Sequence, residues 1–130
     1  MARKCRDAAR VQKLSAAVIA NLTPDLVKDE FKFLQRKSLL GGHCYVASEA
    51  MYYLLGARNS EYMPASIVHE GVKHYYLKHR VTGAALDLTA AQFATPVPYE
   101  KGRGMAYRQS KASKRAAIVI ERVNARKKRK

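Results

Sequence analysis

Cys44, His74 and Asp87 carry the side chains of this chain best suited to covalent chemistry, and they occur in a workable order. Cys44 lies in Gly41-Gly42-His43-Cys44-Tyr45, His74 in Lys73-His74-Tyr75-Tyr76, and Asp87 in Leu86-Asp87-Leu88-Thr89. A thiol attacks carbonyl carbon as its thiolate, and an ordinary cysteine, with a pKa of about 8.5, is mostly protonated at neutral pH. A helix beginning at Cys44 would favour the thiolate through its unpaired N–H groups and dipole. An imidazole brought beside it would accept the proton and stabilise the anion. A carboxylate behind the imidazole would hold its tautomer. Gly41 and Gly42 permit close backbone approach, and the Cys44 amide is placed to serve as an oxyanion donor. The plainer reading is that Cys44 packs as a small apolar residue and Asp87 starts a turn.

The elements that must position these residues follow from periodicity. A helix is expected over Ala8–Ala20, apolar at Val11, Leu14, Val18 and Ile19. Thr23-Pro24-Asp25 reads as a capped start for a second helix reaching about Leu34. Lys37 to Gly42 reads as a loop. A third helix spans Cys44–Leu55, with Val46, Ala47, Ala50, Met51, Leu54 and Leu55 as its stripe and Gly56 as its stop. Period-two patterning then predicts strands over Ser66–Val68, Val72–Arg80 and Ala84–Leu88. Residues 94–109, with Pro96, Pro98, Gly102 and Gly104, read as an irregular loop. A final helix is expected over Ser113–Arg126. The chain divides into a basic N-terminal helix (1–22), a catalytic-type core (23–100), and a basic loop, helix and disordered tail (101–130).

Strand register supplies a geometric test. His74 and Tyr76 share a face of their strand. A two-residue turn at Thr82-Gly83 would pair Asp87 with Lys78, on the order of 13 Å along the strand from His74. A loop over His79 to Thr82 would pair Asp87 with His74 directly. A loop of Val81-Thr82 alone would make them diagonal neighbours within long side-chain reach. The triad therefore requires that the strands do not close at Thr82-Gly83.

Other polar residues read as structural. Glu49 is expected on a solvated helix face, and Gln92 in a Thr89-Ala90-Ala91-Gln92 capping box. His43, His69 and His79 with Cys44 match no zinc spacing, so neither metal nor cofactor is expected. Tyr52, Tyr53, Tyr75 and Tyr76 read as half-buried helix and sheet residues, although such rings can also stack on bases.

At 130 residues the length suits one domain. Two cysteines, Cys5 and Cys44, are too few for a disulfide framework, which favours free thiols in a reducing cytoplasm. No apolar run is long enough to span a membrane, and the start lacks the apolar region of a signal peptide. The net charge of +15 is unevenly placed. Residues 1–13 carry five basic residues and one acid, residues 14–100 eight of each, and residues 101–130 twelve basic residues and one acid. Cationic ends on a neutral body suit a polyanion such as nucleic acid, through Arg126, Lys127, Lys128, Arg129 and Lys130. A tail that merely aids solubility has the same composition.

Three blocks carry a resemblance: Gly42-His43-Cys44-Tyr45-Val46-Ala47-Ser48-Glu49-Ala50, His74-Tyr75-Tyr76-Leu77, and Leu86-Asp87-Leu88-Thr89-Ala90-Ala91-Gln92-Phe93. Together they resemble the YunG-like proteins of bacteria and their phage cousins, a group similar to a minimal papain-like fold. The resemblance covers about residues 40–93. It implies an α+β fold, with N-terminal helices packed on a small antiparallel sheet and a basic C-terminal helix. It also implies Cys44 as nucleophile, His74 as base and Asp87 as orienter. Papain proper has an oxyanion-hole Gln shortly before its Cys, whereas here Ser38 stands six residues before Cys44 and Gln35 nine before. The second oxyanion donor is thus unassigned. The expected function is a small cysteine hydrolase or acyl/amide transferase, phage-encoded in one version and acting in the host cytoplasm. The alternative is a non-catalytic nucleic-acid-binding protein on the same scaffold.

Overall fold

A computed structural model describes the backbone of residues 2–23, 43–90, 93–105 and 112–128, with the side chains of residues 8–23, 43–90, 93–105 and 112–125. It is an α+β fold in which three helices pack on a four-stranded antiparallel sheet. The helices are α1 (Ala2–Ala20), α2 (Cys44–Leu54) and α3 (Lys114–Lys128). The strands are β1 (Tyr62–His69), β2 (Val72–His79), β3 (Ala85–Leu86) and β4 (Arg103–Gly104), in the order β3-β2-β1-β4. The expected second helix, the loop before Cys44, Gln35, Ser38 and Gln92 all lie outside the described residues, as do the side chains of Cys5 and Arg126–Lys130.

The core forms where the helix stripes meet β2. Leu14 and Val18 of α1, Val46, Ala47, Ala50 and Met51 of α2, Leu77 of β2, and Ala116, Val119 and Val123 of α3 make one cluster. Burying each larger aliphatic side chain of this set is worth about 1.5–3 kcal/mol. The basic C-terminal helix is therefore anchored in the same core as α1 and α2. Arg122 is tied down as well, since its Nη1 donates to the Asn21 carbonyl and the Thr23 hydroxyl at 3.1 and 2.9 Å. Among the described residues no helix is long and apolar enough to cross a membrane.

Several boundaries differ from those read in the sequence. Helix α1 begins at Ala2 rather than Ala8, because Ala, Arg and Lys are all strong helix formers and nothing in the lead-in stops the ladder. Strand β1 begins at Tyr62, continuing through Pro64 to pair fully with β2. The β1–β2 hairpin closes through Glu70 and Gly71, with φ of 49° and 76°, the left-handed pair that matches strand twist. Residues 94–109 are not wholly irregular. Arg103 and Gly104 pair with Ser66 and Ala65 as β4, a strand too short to leave a period-two signal.

Glu49 does not lie on a solvated face. It is 2% exposed, and its carboxylate accepts from the Ser113 N–H at 2.9 Å and the Ser113 hydroxyl at 2.7 Å. The Ser113 oxygen in turn accepts from the Ala116 N–H at the start of α3, a side-chain N-cap. Ser113→Ala would remove the cap and strip a donor from a buried carboxylate. We expect a loss of about 2–3 kcal/mol in unfolding free energy, measured by urea denaturation.

Candidate active site

The loop joining β2 to β3 decides where Asp87 falls. Leu77 pairs with Leu86 and Lys78 with Ala85, and the ladder ends with the His79 N–H donating to the Ala84 carbonyl at 2.8 Å. The loop is thus Arg80–Gly83, longer than Val81-Thr82 alone but in the same register, and the strands do not close at Thr82-Gly83. Continued by one residue, this register sets Asp87 opposite Tyr76 and diagonal to His74. His79 holds the loop: its Nδ1 accepts from the Val81 and Thr82 N–H groups at 3.2 Å each. Nε2 then carries the proton and donates to Glu61 at 3.2 Å.

His74 Nε2 meets Asp87 Oδ2 at 2.6 Å, with the two side chains 0% and 4% exposed. The Cys44 side chain lies beside the same imidazole and contributes to raising its pKa. The three residues singled out in the sequence therefore converge. Cys44 is the first residue of α2 and a buried free thiol, with its Sγ also 4.0 Å from the Lys73 carbonyl. Its N–H lies ahead of the helical ladder, whose first bond runs from the Ala47 N–H to the His43 carbonyl at 2.8 Å.

Burial disfavours the His74 imidazolium, but the Asp87 hydrogen bond, the neighbouring Cys44 side chain and the charge of Asp87 outweigh it, pushing His74 up to about 9. Phe93 packs edge-on against the ring, at 4.7 Å between centroids. The loop bearing Phe93 is tied to the β1–β2 hairpin, where Glu70 accepts from the Thr95 hydroxyl and N–H at 2.6 and 2.8 Å.

The turn reading of Asp87 also holds, and sequence reasoning missed only its Tyr99 partner. Its Oδ1 accepts from the Thr89 N–H at 3.2 Å, an Asx-turn, so Asp87 is a turn residue as well as a partner of His74. Its Oδ2 also accepts from the Tyr99 hydroxyl at 2.7 Å. The spacing Asp87-Leu88-Thr89 is a usable Asx-turn signal; Tyr99, in a proline-rich loop, left none. His43 stands apart from the triad, donating through Nε2 to the Thr23 carbonyl at 2.8 Å. His69 and His79 lie at opposite ends of the hairpin ladder. Among the described residues no cluster of three His, Cys, Asp or Glu side chains is arranged to hold a metal ion.

No protein-family model, curated protein or solved structure matches this chain.

The raised His74 value has a consequence for stability. Between the ordinary histidine value of 6.5 and about 9, the folded chain retains a proton that the unfolded chain has released. The contribution of the His74–Asp87 pair is complete below the lower value and is lost as pH rises through the upper one. The stability gap between the native protein and Asp87→Asn should narrow steadily from pH 6 to pH 9.5 in urea titrations.

Proposed function

We propose that the chain is a small papain-like cysteine hydrolase or acyl/amide transferase. What supports this reading is one imidazole, held at 2.6 Å by a buried carboxylate, that lies beside the thiol opening α2. With Nε2 engaged by Asp87, Nδ1 is the ring nitrogen left for the thiol. His74 takes the Cys44 proton, and the thiolate attacks an amide or ester carbonyl carbon. The C–S bond forms as the carbonyl oxygen becomes an oxyanion facing the Cys44 N–H. Collapse expels the amine or alcohol, which leaves with the proton from His74. Water or an acceptor amine then cleaves the thioester, releasing acid or a new amide and restoring the thiol. Asp87 stays ionised throughout and orients the ring.

The resemblance of the three sequence blocks to the YunG-like group agrees with this reading. The basic ends would dock the enzyme on nucleic acid or on a target bound to it, in a reducing cytoplasm where the thiol persists. The same concentration of charge supports the second reading, a nucleic-acid-binding protein without catalysis. In that case Cys44 is core packing, and affinity falls steeply with salt.

Alkylation by iodoacetamide separates the two. On the first reading Cys44 labels rapidly at pH 6, and His74→Ala slows this by about 100-fold or more. Cys5→Ser leaves the rate unchanged. Slow labelling with an ordinary thiol profile, indifferent to His74, would overturn the enzyme reading and leave nucleic-acid titrations at two salt concentrations to test the second. Once a substrate is found, Cys44→Ala should abolish turnover without altering thermal unfolding.

A further inference from the structure

Asp87 is buried, and its Oδ2 receives two short hydrogen bonds, from His74 at 2.6 Å and from the Tyr99 hydroxyl at 2.7 Å. A carboxylate withdrawn from water needs replacement donors to stay ionised, and a rotating carboxylate needs more than one donor to keep its plane. Thr89 supplies one donor to Oδ1, at 3.2 Å, from the backbone of the adjacent turn. Tyr99 supplies a second, from a different part of the chain.

The fold holds Tyr99 in place by several contacts. Strand β4 pairs with β1 at the sheet edge, and the Met105 N–H donates to the Pro64 carbonyl at 2.9 Å. The one-turn segment Tyr99–Lys101 immediately precedes that strand. The Tyr99 carbonyl accepts from the Gly102 N–H at 2.9 Å and from the Tyr76 hydroxyl at 3.3 Å. The two tyrosine rings pack edge to face with centroids 5.0 Å apart. A Cβ at Gly102 would lie 1.8 Å from the Tyr76 hydroxyl oxygen, so position 102 is kept empty for the tyrosine that braces Tyr99.

We infer that Tyr99 is a positioning residue: its hydroxyl, braced by Tyr76 and the space at Gly102, holds the Asp87 carboxylate turned toward His74. This role rests on the proposed triad for its use in catalysis, although the geometry of the pair can be tested without any turnover. No proton leaves Tyr99. Burial and the Asp87 hydrogen bond push its hydroxyl well above the usual tyrosine range, so it remains a donor. The titratable groups facing Asp87 are His74 and Tyr76 from β2 and Tyr99 from its turn, while Cys44 of α2 faces His74.

The test is the NMR titration of the His74 ring in the full chain, for the native protein, Tyr99→Phe, Asp87→Asn and the double variant. Tyr99→Phe keeps the ring that packs on Tyr76 and removes only the donor. The His74 midpoint should fall by about one pH unit in Tyr99→Phe, because a less well-oriented carboxylate stabilises the imidazolium less. It should not fall further when Tyr99→Phe is added to Asp87→Asn. An unchanged or raised midpoint in Tyr99→Phe, or an equal drop on the Asp87→Asn background, would overturn the inference. Tyr76→Phe, which removes the brace and leaves the donor, should give a smaller drop in the same direction; if Tyr99→Phe does not fold, the absence of that drop overturns the inference. An ordinary Cys44 labelling profile in the native protein would sink the enzyme reading while leaving this result standing. Normal low-pH labelling with no effect of Tyr99→Phe on His74 would do the reverse.

Discussion

The pairing of β2 with β3 is the constraint from which the candidate site follows. Asp87 lies one residue beyond a two-residue strand, and its reach to His74 depends on the loop that reverses the chain. A slip of one residue would turn Asp87 to the opposite face, since side chains alternate along a strand. A shift of two in one direction would carry it away from His74 along the same face. In the register adopted, one ring nitrogen of His79 accepts from the loop N–H groups while the other engages Glu61.

Two buried carboxylates organise the molecule, and each is held by the same physics. Glu49 ties α2 to the cap of α3, and Asp87 ties β3 to His74 and to the loop carrying Tyr99. A buried carboxylate without donors would be strongly destabilising, so each can exist only where the fold has already delivered its partners. This makes the two helices and the site mutually dependent. The 93–105 segment, bound at one end through Thr95 and at the other through β4, lays Phe93 and Tyr99 around His74 without contributing a long element of its own.

The charge distribution takes on a different meaning once α3 is seen in the core. Its Val119 and Val123 are buried and its Arg122 is committed to Asn21 and Thr23, so the C-terminal basic region is in part a structural helix. Lys114, at the start of the helix, is exposed and adds to the positive field without costing the core anything.

Local pattern alone carried the three described helices, strand β2, the last part of β1, the stop at Gly56 and the candidate trio of Cys44, His74 and Asp87. Those features depend on residue type and on spacings of two to four, which are visible in a linear chain. Even the register was narrowed to three alternatives, one of which the fold adopts. The register adopted is the one in which Leu77 meets Leu86 and Lys78 meets Ala85. Long-range contact decided the burial of Glu49, whose partner Ser113 is sixty-four residues away, and the existence of β4, whose two residues are a strand only because β1 lies beside them. Tyr99 belongs to the same class. Nothing in Pro98-Tyr99-Glu100 points to a carboxylate, and its hydroxyl gains a role only when the loop is pinned across β2. Sequence periodicity reports which face a residue occupies, whereas a hydrogen bond between distant segments requires both to be fixed in space, and that information arises only on packing.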